Sequence, residues 1–303
     1  MSSRLQKALI LPAKFADFVV AERPIGQPGR GFVLVKIHAA ALNPVDQKIK
    51  DLGIFIDEFP GVAGIDAAGT IEAVGGGVTE FKEGDRVLYQ GWGKPADRGT
   101  FQQYGLASVL GVAKIPDSLS FDQAATIPLG LGTAALGLYG KRDPKAERGG
   151  PAGLIAPWDE GGRGKFAGKP AVVIGGSSSV GQYAIQLAKL SGYDPIITTA
   201  SAHNEAYCKA AGATHVVDYH KVPYSALPAA VAEIASSVPL VYDAISVADS
   251  QKASWVIAAP QGIVIVTLAP VVGKIGEEAE DGKRVFYTYG SVHAADNQEK
   301  GSI

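Results

Sequence analysis

Residues 172–189 read VVIGGSSSVGQYAIQLAK, and this stretch decides the fold. A short apolar segment is followed by small residues and then by a helical pattern that stops before Gly192. Gly175 and Gly176 permit a tight turn, and Gly181 permits close packing of the helix on the strand. We therefore predict a strand at residues 171–174, a turn, and a helix at residues 180–191.

The same turn has the composition of a dinucleotide-binding loop. Small residues let backbone N–H groups at the positive end of the helix approach a pyrophosphate. The match to G-x-G-x-x-G is incomplete, because Ser178 takes the place of the middle glycine. A Gly/Ser turn can also be only a turn, but the α/β units that follow favour nucleotide binding. The predicted cofactor contacts here are Gly176, Ser177, Ser178, Ser179 and Val180.

Downstream of this unit, strand and helix patterns alternate. The predicted strands are residues 195–199, 215–218, 240–242, 263–268 and 285–292, and the predicted helices are residues 205–211 and 226–235. This alternation is typical of a parallel, doubly wound sheet with helices on both faces. Ligands of such sheets bind at the carboxyl ends of the strands.

The first part of the chain has a different character, with short strands separated by Gly and Pro. Strands are predicted at residues 7–11, 31–39, 67–74, 85–89 and 111–115, and one helix at residues 44–52. This pattern indicates an irregular β-barrel. Ser120 and Gln123 have capping-box spacing and mark the change to helix, which Pro128 divides in two. The segment 141–168 is rich in Gly, Pro and charge and predicts an exposed loop that is either functional or mobile.

Composition excludes several classes of protein. The 303 residues carry a net charge of -2, so no chain-wide basic footprint for nucleic acid or anionic lipid exists. The single cysteine, Cys208, excludes a disulfide framework and a Cys-rich zinc site. The first residues lack the apolar core of a signal peptide, and no apolar run reaches the ~18 residues of a membrane span. We expect a cytoplasmic protein.

The end of the second strand of the α/β region bears on cofactor choice. An acidic residue about 20 positions after the glycine turn would bind the ribose 2′-OH of NAD. Residues 198–204 instead read TTASAHN, with hydroxyl and amide groups where a 2′-phosphate would lie. NADP(H) is therefore the predicted cofactor. Ser201 and Asn204 could also cap the next helix, and one residue can do both.

Several strings occur along the chain in the order found in one enzyme superfamily. They are ALNPVDQK at 41–48, PGVAGIDAAG at 60–69, FKEGDRV at 81–87, GTFQQY at 99–104 and AATIP at 124–128. With the glycine turn, they make the chain resemble the medium-chain dehydrogenase/reductase superfamily over nearly all its length. The resemblance implies an α/β fold with an N-terminal GroES-like β-barrel domain at residues 1–125. It also implies a Rossmann domain, a doubly wound parallel sheet that binds NADP(H), at residues 126–303.

Within that superfamily, the zinc branch has a Cys in the region of Asn43 and a Gly-His-Glu string downstream, and this chain has neither. No metal ligand is therefore predicted. LNPVDxK, GSSSVG and TTAS resemble the zinc-independent quinone oxidoreductases, and especially the trans-acting enoyl reductases that serve polyketide synthases.

The resemblance also implies roles for individual residues. Asn43, Lys48 and Thr133 would be catalytic, with Thr133 on a helix that lines the active-site cleft. Cofactor contacts outside the glycine turn would come from Pro44, Asp46, Ser201, Asn204, Tyr219, Ile245, Thr267 and Leu268. Each has a plainer alternative: Asp46 and Lys48 could lie on an exposed helix face, Thr133 could be a core packing residue, and Tyr219 could pack at a strand end.

The predicted function is reduction of an activated C=C bond in an enone, enoyl thioester or quinone by hydride transfer from NADPH, without zinc. Lys48 or a bound water is the hypothesised hydrogen-bond donor or acid. The expected partner is a small-molecule substrate, with a carrier-bound acyl chain as its alternative form; a homodimer is the candidate assembly. Superfamily chains return to the barrel after the Rossmann domain, whereas a polar tail at residues 293–303 follows here. An NADPH-binding sensor or partner protein with weak catalysis is therefore the alternative function.

Overall fold

The computed structural model describes residues 4–141 and 150–293. Within them the chain forms two compact units. The first contains residues 4–129 together with Val292 and His293, and the second contains residues 130–291. Residues 142–149 of the predicted loop and the predicted polar tail from residue 294 onwards lie outside the described residues.

The first unit is built mainly from antiparallel strands. These are β1 (Leu5–Leu11), β2 (Val19–Pro24), β3 (Phe32–Ala41), β4 (Gly61–Val62), β5 (Asp66–Val74), β6 (Arg86–Gln90), β7 (Tyr104–Ser108) and β8 (Val112–Lys114). They form a three-stranded sheet, β2-β1-β4, and a five-stranded sheet, β7-β3-β5-β6-β8. Every strand pair in both sheets is antiparallel. β2, β4 and β7 were absent from the prediction.

The core of the five-stranded sheet explains why these segments become strands. Val33 and Val35 of β3 pack with Ile71 of β5 and Tyr89 of β6, and all four side chains are buried. Residues two apart share one face of a strand, so this spacing directs them into one core. β3 is buried at three successive residues, 33–35, and then alternates between exposed and partly buried positions, so it is buried on both faces only at its start.

In the first unit, α1 has the predicted bounds and α2 has the predicted capping box. α1 (Pro44–Leu52) ends before Gly53, whose φ of 59° lies in the left-handed region. α2 (Phe121–Ala125) is capped by Ser120, whose Oγ accepts from the Gln123 N–H at 3.1 Å. The Gln123 Oε1 accepts in return from the Ser120 N–H at 3.0 Å.

The second unit alternates strands and helices around a parallel sheet. α3 (Pro128–Tyr139) leads into it, followed by β9 (Ala171–Ile174), α4 (Ser179–Leu190), β10 (Ile196–Ala200), α5 (Glu205–Ala211), β11 (His215–Asp218), α6 (Leu227–Ala232), β12 (Val238–Asp243), α7 (Ala248–Ile257), β13 (Ala258–Val266) and β14 (Arg284–Tyr287). The strand order is β11-β10-β9-β12-β13-β14, and every pair is parallel. The order reverses between β9 and β12, which is the point where doubly wound sheets bind ligands. The predicted fold class is confirmed.

Both faces of this sheet are covered by apolar side chains. Ala171 and Val173 of β9 belong to one buried cluster, and Val172 and Ile174 belong to the cluster on the opposite face. All four residues are at most 1% exposed. A strand buried on both faces reads as a continuous apolar run, which is why this one was recognisable in the sequence.

Several parts of the second unit differ from the prediction. α7 was not predicted, because its buried side combines the polar residues Ser250, Gln251 and Ser254 with only two apolar ones, Ala253 and Ile257. β13 begins at Ala258 and not at residue 263. β14 ends at Tyr287 and not at residue 292. The chain beyond it reaches the first unit, where the Val292 N–H donates to Gln90 Oε1 at 2.7 Å and His293 Nε2 lies 2.7 Å from the Gln90 carbonyl oxygen.

No helix in the described part of the chain is both long and apolar enough to cross a membrane.

Candidate functional site

Three glycines shape the turn between β9 and α4. Gly175 has a φ of 80°, and a Cβ built there would lie 2.6 Å from Ile245 Cδ1. A Cβ at Gly176 would lie 2.0 Å from Thr198 Oγ1, and one at Gly181 would lie 2.2 Å from the Gly175 carbonyl oxygen. At Gly181 the neighbour is backbone, so the absence of a Cβ is what lets α4 approach the turn this closely. At Gly175 and Gly176 a Cβ would meet the side chains of Ile245 and Thr198, so these glycines let those two side chains pack against the turn.

The turn presents free backbone donors. Ser178 Oγ accepts from the Gly181 N–H at 3.0 Å and so caps the 12-residue helix α4. The Ser178 N–H donates to the Gly175 carbonyl oxygen at 2.9 Å. Among the described residues, no acceptor faces the N–H groups of Ser177, Ser179 and Val180. These donors stand at the positive end of a helix dipole, which is an anion-binding arrangement.

β10 holds this turn in place through two threonines. The Gly175 N–H donates to Thr199 Oγ1 at 2.9 Å, and the Gly176 N–H donates to the Thr199 carbonyl oxygen at 3.0 Å. Thr198 Oγ1 donates to the Val173 carbonyl oxygen at 2.6 Å. Both hydroxyl groups are buried and bonded within the fold, so of the polar residues at 198–204 these two serve to hold the turn.

The loop after β10 contains Ser201 and Asn204, two of the residues predicted to contact the cofactor. Ser201 is buried, and Asn204 Nδ2 lies 3.3 Å from its Oγ. Neither side chain makes a helix-capping hydrogen bond, so the capping alternative does not apply to them. Ala200 pairs with Asp218 across β10 and β11, so the loops that begin at Ser201 and at Tyr219 are neighbours. Tyr219 is 45% exposed.

Two further polar residues follow Tyr219 and were missed in the sequence. His220 and Lys221 are exposed at the same carboxyl edge of the sheet. The His220 N–H donates to Asp218 Oδ1 at 3.0 Å, which fixes the start of this turn. They directly follow a predicted strand, at the edge where ligands of parallel sheets bind, and this position could have identified them in the sequence.

A buried carboxylate organises the loop after β12. Asp243 is fully buried, and its Oδ1 accepts from the N–H groups of Ile245 at 3.0 Å and Ser246 at 2.7 Å. Its Oδ2 accepts from Ser250 Oγ at 2.7 Å. Burial raises the pKa of Asp243, and the donors from Ser246, Ser250 and Ile245 oppose that rise by favouring the charged form.

The same loop is tied to the end of β13. Ser246, whose φ of 56° is unusual for a residue with a side chain, donates through Oγ to the Asp243 carbonyl oxygen at 2.6 Å. Its Oγ accepts from the Thr267 N–H at 2.7 Å. Gln251 Nε2 bridges the carbonyl oxygens of Ser246 and Ala269 at 2.9 and 3.1 Å. Two loops at the switch point of the sheet are thus held as one structure.

The predicted cofactor residues on these loops have different settings. Ile245 lies against the glycine turn, beyond the carboxyl ends of the neighbouring strands β9 and β12. Thr267 Oγ1 lies 3.2 Å from Ser246 Oγ and 3.4 Å from the Ala244 carbonyl oxygen, so its hydroxyl already has partners in the loop. Leu268 is 37% exposed.

Thr133 on α3 is buried in the second unit. Its carbonyl oxygen accepts from Tyr242 Oη at 3.0 Å and from Thr288 Oγ1 at 3.1 Å. A Cβ at Gly290 would lie 2.0 Å from Thr133 Oγ1, so glycine at 290 makes room for the threonine. This setting agrees with the packing alternative, and a catalytic role for Thr133 stays a prediction.

The first unit holds a cluster of buried polar side chains around the start of α1. Asn43 Nδ2 donates to Asp66 Oδ2 at 2.9 Å, and the Leu129 N–H donates to Asp66 Oδ1 at 2.7 Å. The Asn43 N–H donates to Asp46 Oδ2 at 2.7 Å. Asp46 Oδ1 is buried and has no hydrogen-bond partner among the described residues.

Burial controls the acidity of both carboxyl groups. The pKa of Asp66 is raised to about 7: burial is the main cause and the charge of Asp46 adds to it, while the hydrogen bonds from Asn43 and Leu129 act in the opposite direction. Burial also raises the pKa of Asp46. Asp46 is 5% exposed, so it does not lie on an exposed helix face as the plainer alternative required.

The remaining predicted residues of this region face solvent more openly. Pro44 is exposed and Lys48 is half-buried. Lys48 makes no ion pair with any residue that the structure describes. Within residues 4–141 and 150–293, no three His, Cys, Asp or Glu side chains are grouped so that they could hold a metal ion.

Comparison with known proteins places the chain in a family. Residues 29–119 match the family described as alcohol dehydrogenase GroES-like domain, and residues 179–286 match the family described as zinc-binding dehydrogenase. Dehydrogenase orsE of Emericella nidulans is 33% identical over 253 residues, which cover 80% of this chain and 71% of that protein. The chain belongs to the medium-chain dehydrogenase/reductase superfamily.

Other superfamily members are similar over part of their length. Trans-enoyl reductase grgB of a Penicillium species is 38% identical over 216 residues, covering 70% of this chain and 56% of that protein. The first curated relatives are matched over 56% to 60% of their own length. The predicted superfamily, with its oxidoreductase and enoyl reductase relatives, is thereby confirmed.

Solved structures of the superfamily share the fold. An alcohol dehydrogenase superfamily protein from Novosphingobium aromaticivorans has a TM-score of 0.78 and 26% identity, covering 98% of this chain and 82% of that chain. A mycobacterial protein solved in complex with NADPH has a TM-score of 0.69 and 25% identity, covering 93% and 81% of the two chains.

Asp243 provides a test of how the loops are held. Asp243→Ala leaves the buried N–H groups of Ile245 and Ser246 without an acceptor, which costs about 2 to 4 kcal/mol in total. We expect a lower Tm and faster hydrogen exchange at these two amides. Asp243→Asn keeps one acceptor oxygen and should lose less than half as much. Asp249→Ala, an exposed position on α7, is the matched control. Exchange at both amides that is unchanged in Asp243→Ala would refute the role of this carboxylate.

The raised pKa of Asp66 predicts that the stability of the fold depends on pH. Its pKa rises from 3.8 in the unfolded chain to about 7 in the fold, so between these values the folded state binds more protons than the unfolded state. Stability is therefore lost as pH rises through this window. The expected loss is on the order of 4 kcal/mol relative to Asp66→Asn, which cannot ionise.

Thermal unfolding of both proteins across the pH range measures this effect. The wild-type Tm should fall relative to that of Asp66→Asn as the pH rises from about 4 to about 7. Asp122→Asn, an exposed Asp on α2, should follow the wild type at every pH. A constant difference between wild type and Asp66→Asn would show that Asp66 ionises normally in the fold.

Proposed function

We propose that this chain is an NADP(H)-dependent, zinc-independent reductase of activated C=C bonds. The observation that carries the proposal is the turn before α4, where the N–H groups of Ser177, Ser179 and Val180 have no acceptor among the described residues. The residues present fit a dinucleotide, because these donors lie at the positive end of a helix dipole, where an anionic pyrophosphate binds. The similar mycobacterial structure in complex with NADPH supports this choice.

In this proposal each end of the cofactor has its own residues. The three N–H groups at α4 bind the pyrophosphate, and Ile245 packs against the cofactor at the switch point. Ser201, Asn204 and Tyr219 bind the adenosine 2′-phosphate, and at that edge the exposed Lys221 adds positive charge and the exposed His220 adds a ring that can form hydrogen bonds. When bound, NADPH supplies the hydride for the β-carbon of the substrate.

The chain supplies orientation and charge stabilisation. Reduction of a C=C bond next to a carbonyl places negative charge on the carbonyl oxygen, and a hydrogen-bond donor lowers the barrier by stabilising it. Lys48 carries an ammonium group with no carboxylate partner among the described residues, so its charge is available for this role. The α-carbon takes its proton from Lys48 or from water. Asn43 offers a second polar contact.

The name of one relative supports a substrate class. That relative is named a trans-enoyl reductase, so we infer that an enoyl thioester, presented on a carrier protein or as a small molecule, is the substrate. Enones and quinones share the activated C=C bond. A homodimer in the cytoplasm remains the proposed assembly and location.

The test combines binding and turnover on the purified chain. Calorimetry should show NADPH binding that is at least about tenfold tighter than NADH binding. NADPH oxidation should follow addition of a small enone, a quinone or an enoyl N-acetylcysteamine thioester. Lys48→Ala should lower kcat by about 10- to 100-fold and leave NADPH binding within about twofold. Lys50→Ala is the matched control, because Lys50 lies on the same helix as Lys48 but is paired with Asp17.

Each outcome decides between the hypotheses. Absence of NADPH binding would overturn the proposal. Tight binding without turnover of any of the three substrates would favour the alternative of a sensor or partner protein. Wild-type turnover by Lys48→Ala would remove Lys48 from the mechanism without affecting the cofactor assignment.

A further inference from the structure

The surface at the end of α1 exposes three large apolar side chains. Phe15 is 61% exposed, Leu52 is 58% exposed and Phe55 is 37% exposed. Leu52 ends α1, Phe55 follows in the next loop, and Phe15 lies in the loop between β1 and β2. The two loops are in contact, because a Cβ built at Gly53 would lie 2.8 Å from Phe15 Cε1. We call Phe15, Leu52 and Phe55 the apolar strip.

Both phenylalanines of the apolar strip have a strained backbone. The φ angle is 66° at Phe15 and 66° at Phe55. A bulky residue rarely adopts this left-handed conformation, which glycine and asparagine adopt with less strain. Both rings are exposed, so the strain does not serve to pack a core. Strain of this kind concentrates at ligand-binding sites, and contiguous exposed apolar side chains mark binding surfaces.

The apolar strip continues the face of α1 that carries Lys48. Residues four apart on a helix share one face, with Cβ atoms about 5 to 6 Å apart, so Leu52 lies one turn beyond the half-buried Lys48. In the proposed function, Lys48 contacts the carbonyl oxygen of the substrate. An extended chain of about four carbons from that carbonyl falls short of Leu52, whereas one of about eight carbons passes it.

Charged side chains of both signs surround the apolar strip. Those within residues 14–17 and 50–58 are Lys14, Asp17, Lys50, Asp51, Asp57 and Glu58. Lys50 pairs with Asp17 at 2.9 Å, and Asp57 pairs with Lys94. Positive charges do not outnumber negative ones here, so this surface lacks the basic excess that attracts an anionic membrane or an acidic partner protein. A neutral hydrocarbon chain is the occupant that fits it.

We propose that the apolar strip binds the hydrocarbon chain of an acyl substrate and makes the enzyme prefer long chains to short ones. The inference rests on the proposed function, which puts the thioester carbonyl at Lys48. Each methylene that is fully buried strengthens binding about fourfold, and each one on an open surface strengthens it about twofold. A chain that covers Leu52 and both rings therefore gains at least about tenfold in kcat/KM.

Turnover of two thioesters of different length tests this role. The ratio of kcat/KM for the 2-decenoyl and the 2-butenoyl thioester of N-acetylcysteamine should be at least about ten in the wild type and below about three in Phe15→Asn/Phe55→Asn. Asparagine tolerates the left-handed backbone, so this variant keeps its fold. Leu110→Asn removes a side chain that is 58% exposed outside the apolar strip, and it should keep the wild-type ratio. A wild-type ratio near one, or an unchanged ratio in the double variant, would overturn the proposal.

A second measurement does not depend on turnover. Calorimetry in the presence of NADPH compares the saturated decanoyl and butanoyl thioesters, which have no C=C bond to reduce. The decanoyl thioester should bind the wild type at least about tenfold more tightly, and the double variant should lose this difference. Such binding in a chain without turnover would support the apolar strip and refute the reductase. Turnover of the 2-butenoyl thioester without any effect of chain length would refute the apolar strip and leave the reductase standing.

Discussion

The second unit depends on the close approach of the α4 backbone to the turn before it. A Cβ at Gly181 would lie 2.2 Å from the Gly175 carbonyl oxygen, so only glycine lets the helix start where it does. That start aligns the N–H groups of Ser177, Ser179 and Val180 at the positive end of the helix dipole. The proposed anion site is therefore built from backbone packing, and no charged side chain is needed to create it.

The elements around this turn use polar side chains to hold it. Thr198 and Thr199 bond the turn to β10, and Asp243 holds the loop whose Ile245 touches Gly175. Buried donors and acceptors of this kind are costly when unpaired and stabilising when paired, so they fix the loops in one arrangement. Rigid loops at the switch point suit a site that must position a cofactor.

Local patterns in the sequence predicted much of the second unit and less of the site. β9 and α5 were recognisable because an apolar run or a helical pattern ended at a turn residue. α7 was hidden by buried Ser250 and Ser254, and the bonds of Thr198 and Thr199 to the glycine turn could not be predicted because they join residues that are distant in sequence. The pairing of Asn43 with Asp66 likewise joins residues that only the folded β-barrel brings together.

The most direct test of the pyrophosphate assignment follows the backbone amides of the turn. Nuclear magnetic resonance of the ¹⁵N-labelled chain, recorded without and with saturating NADPH, resolves Ser177, Ser179 and Val180. We predict that these three amides shift more than any others in α4 and gain protection from hydrogen exchange. Binding of NADPH that leaves all three amides unchanged would contradict the assignment.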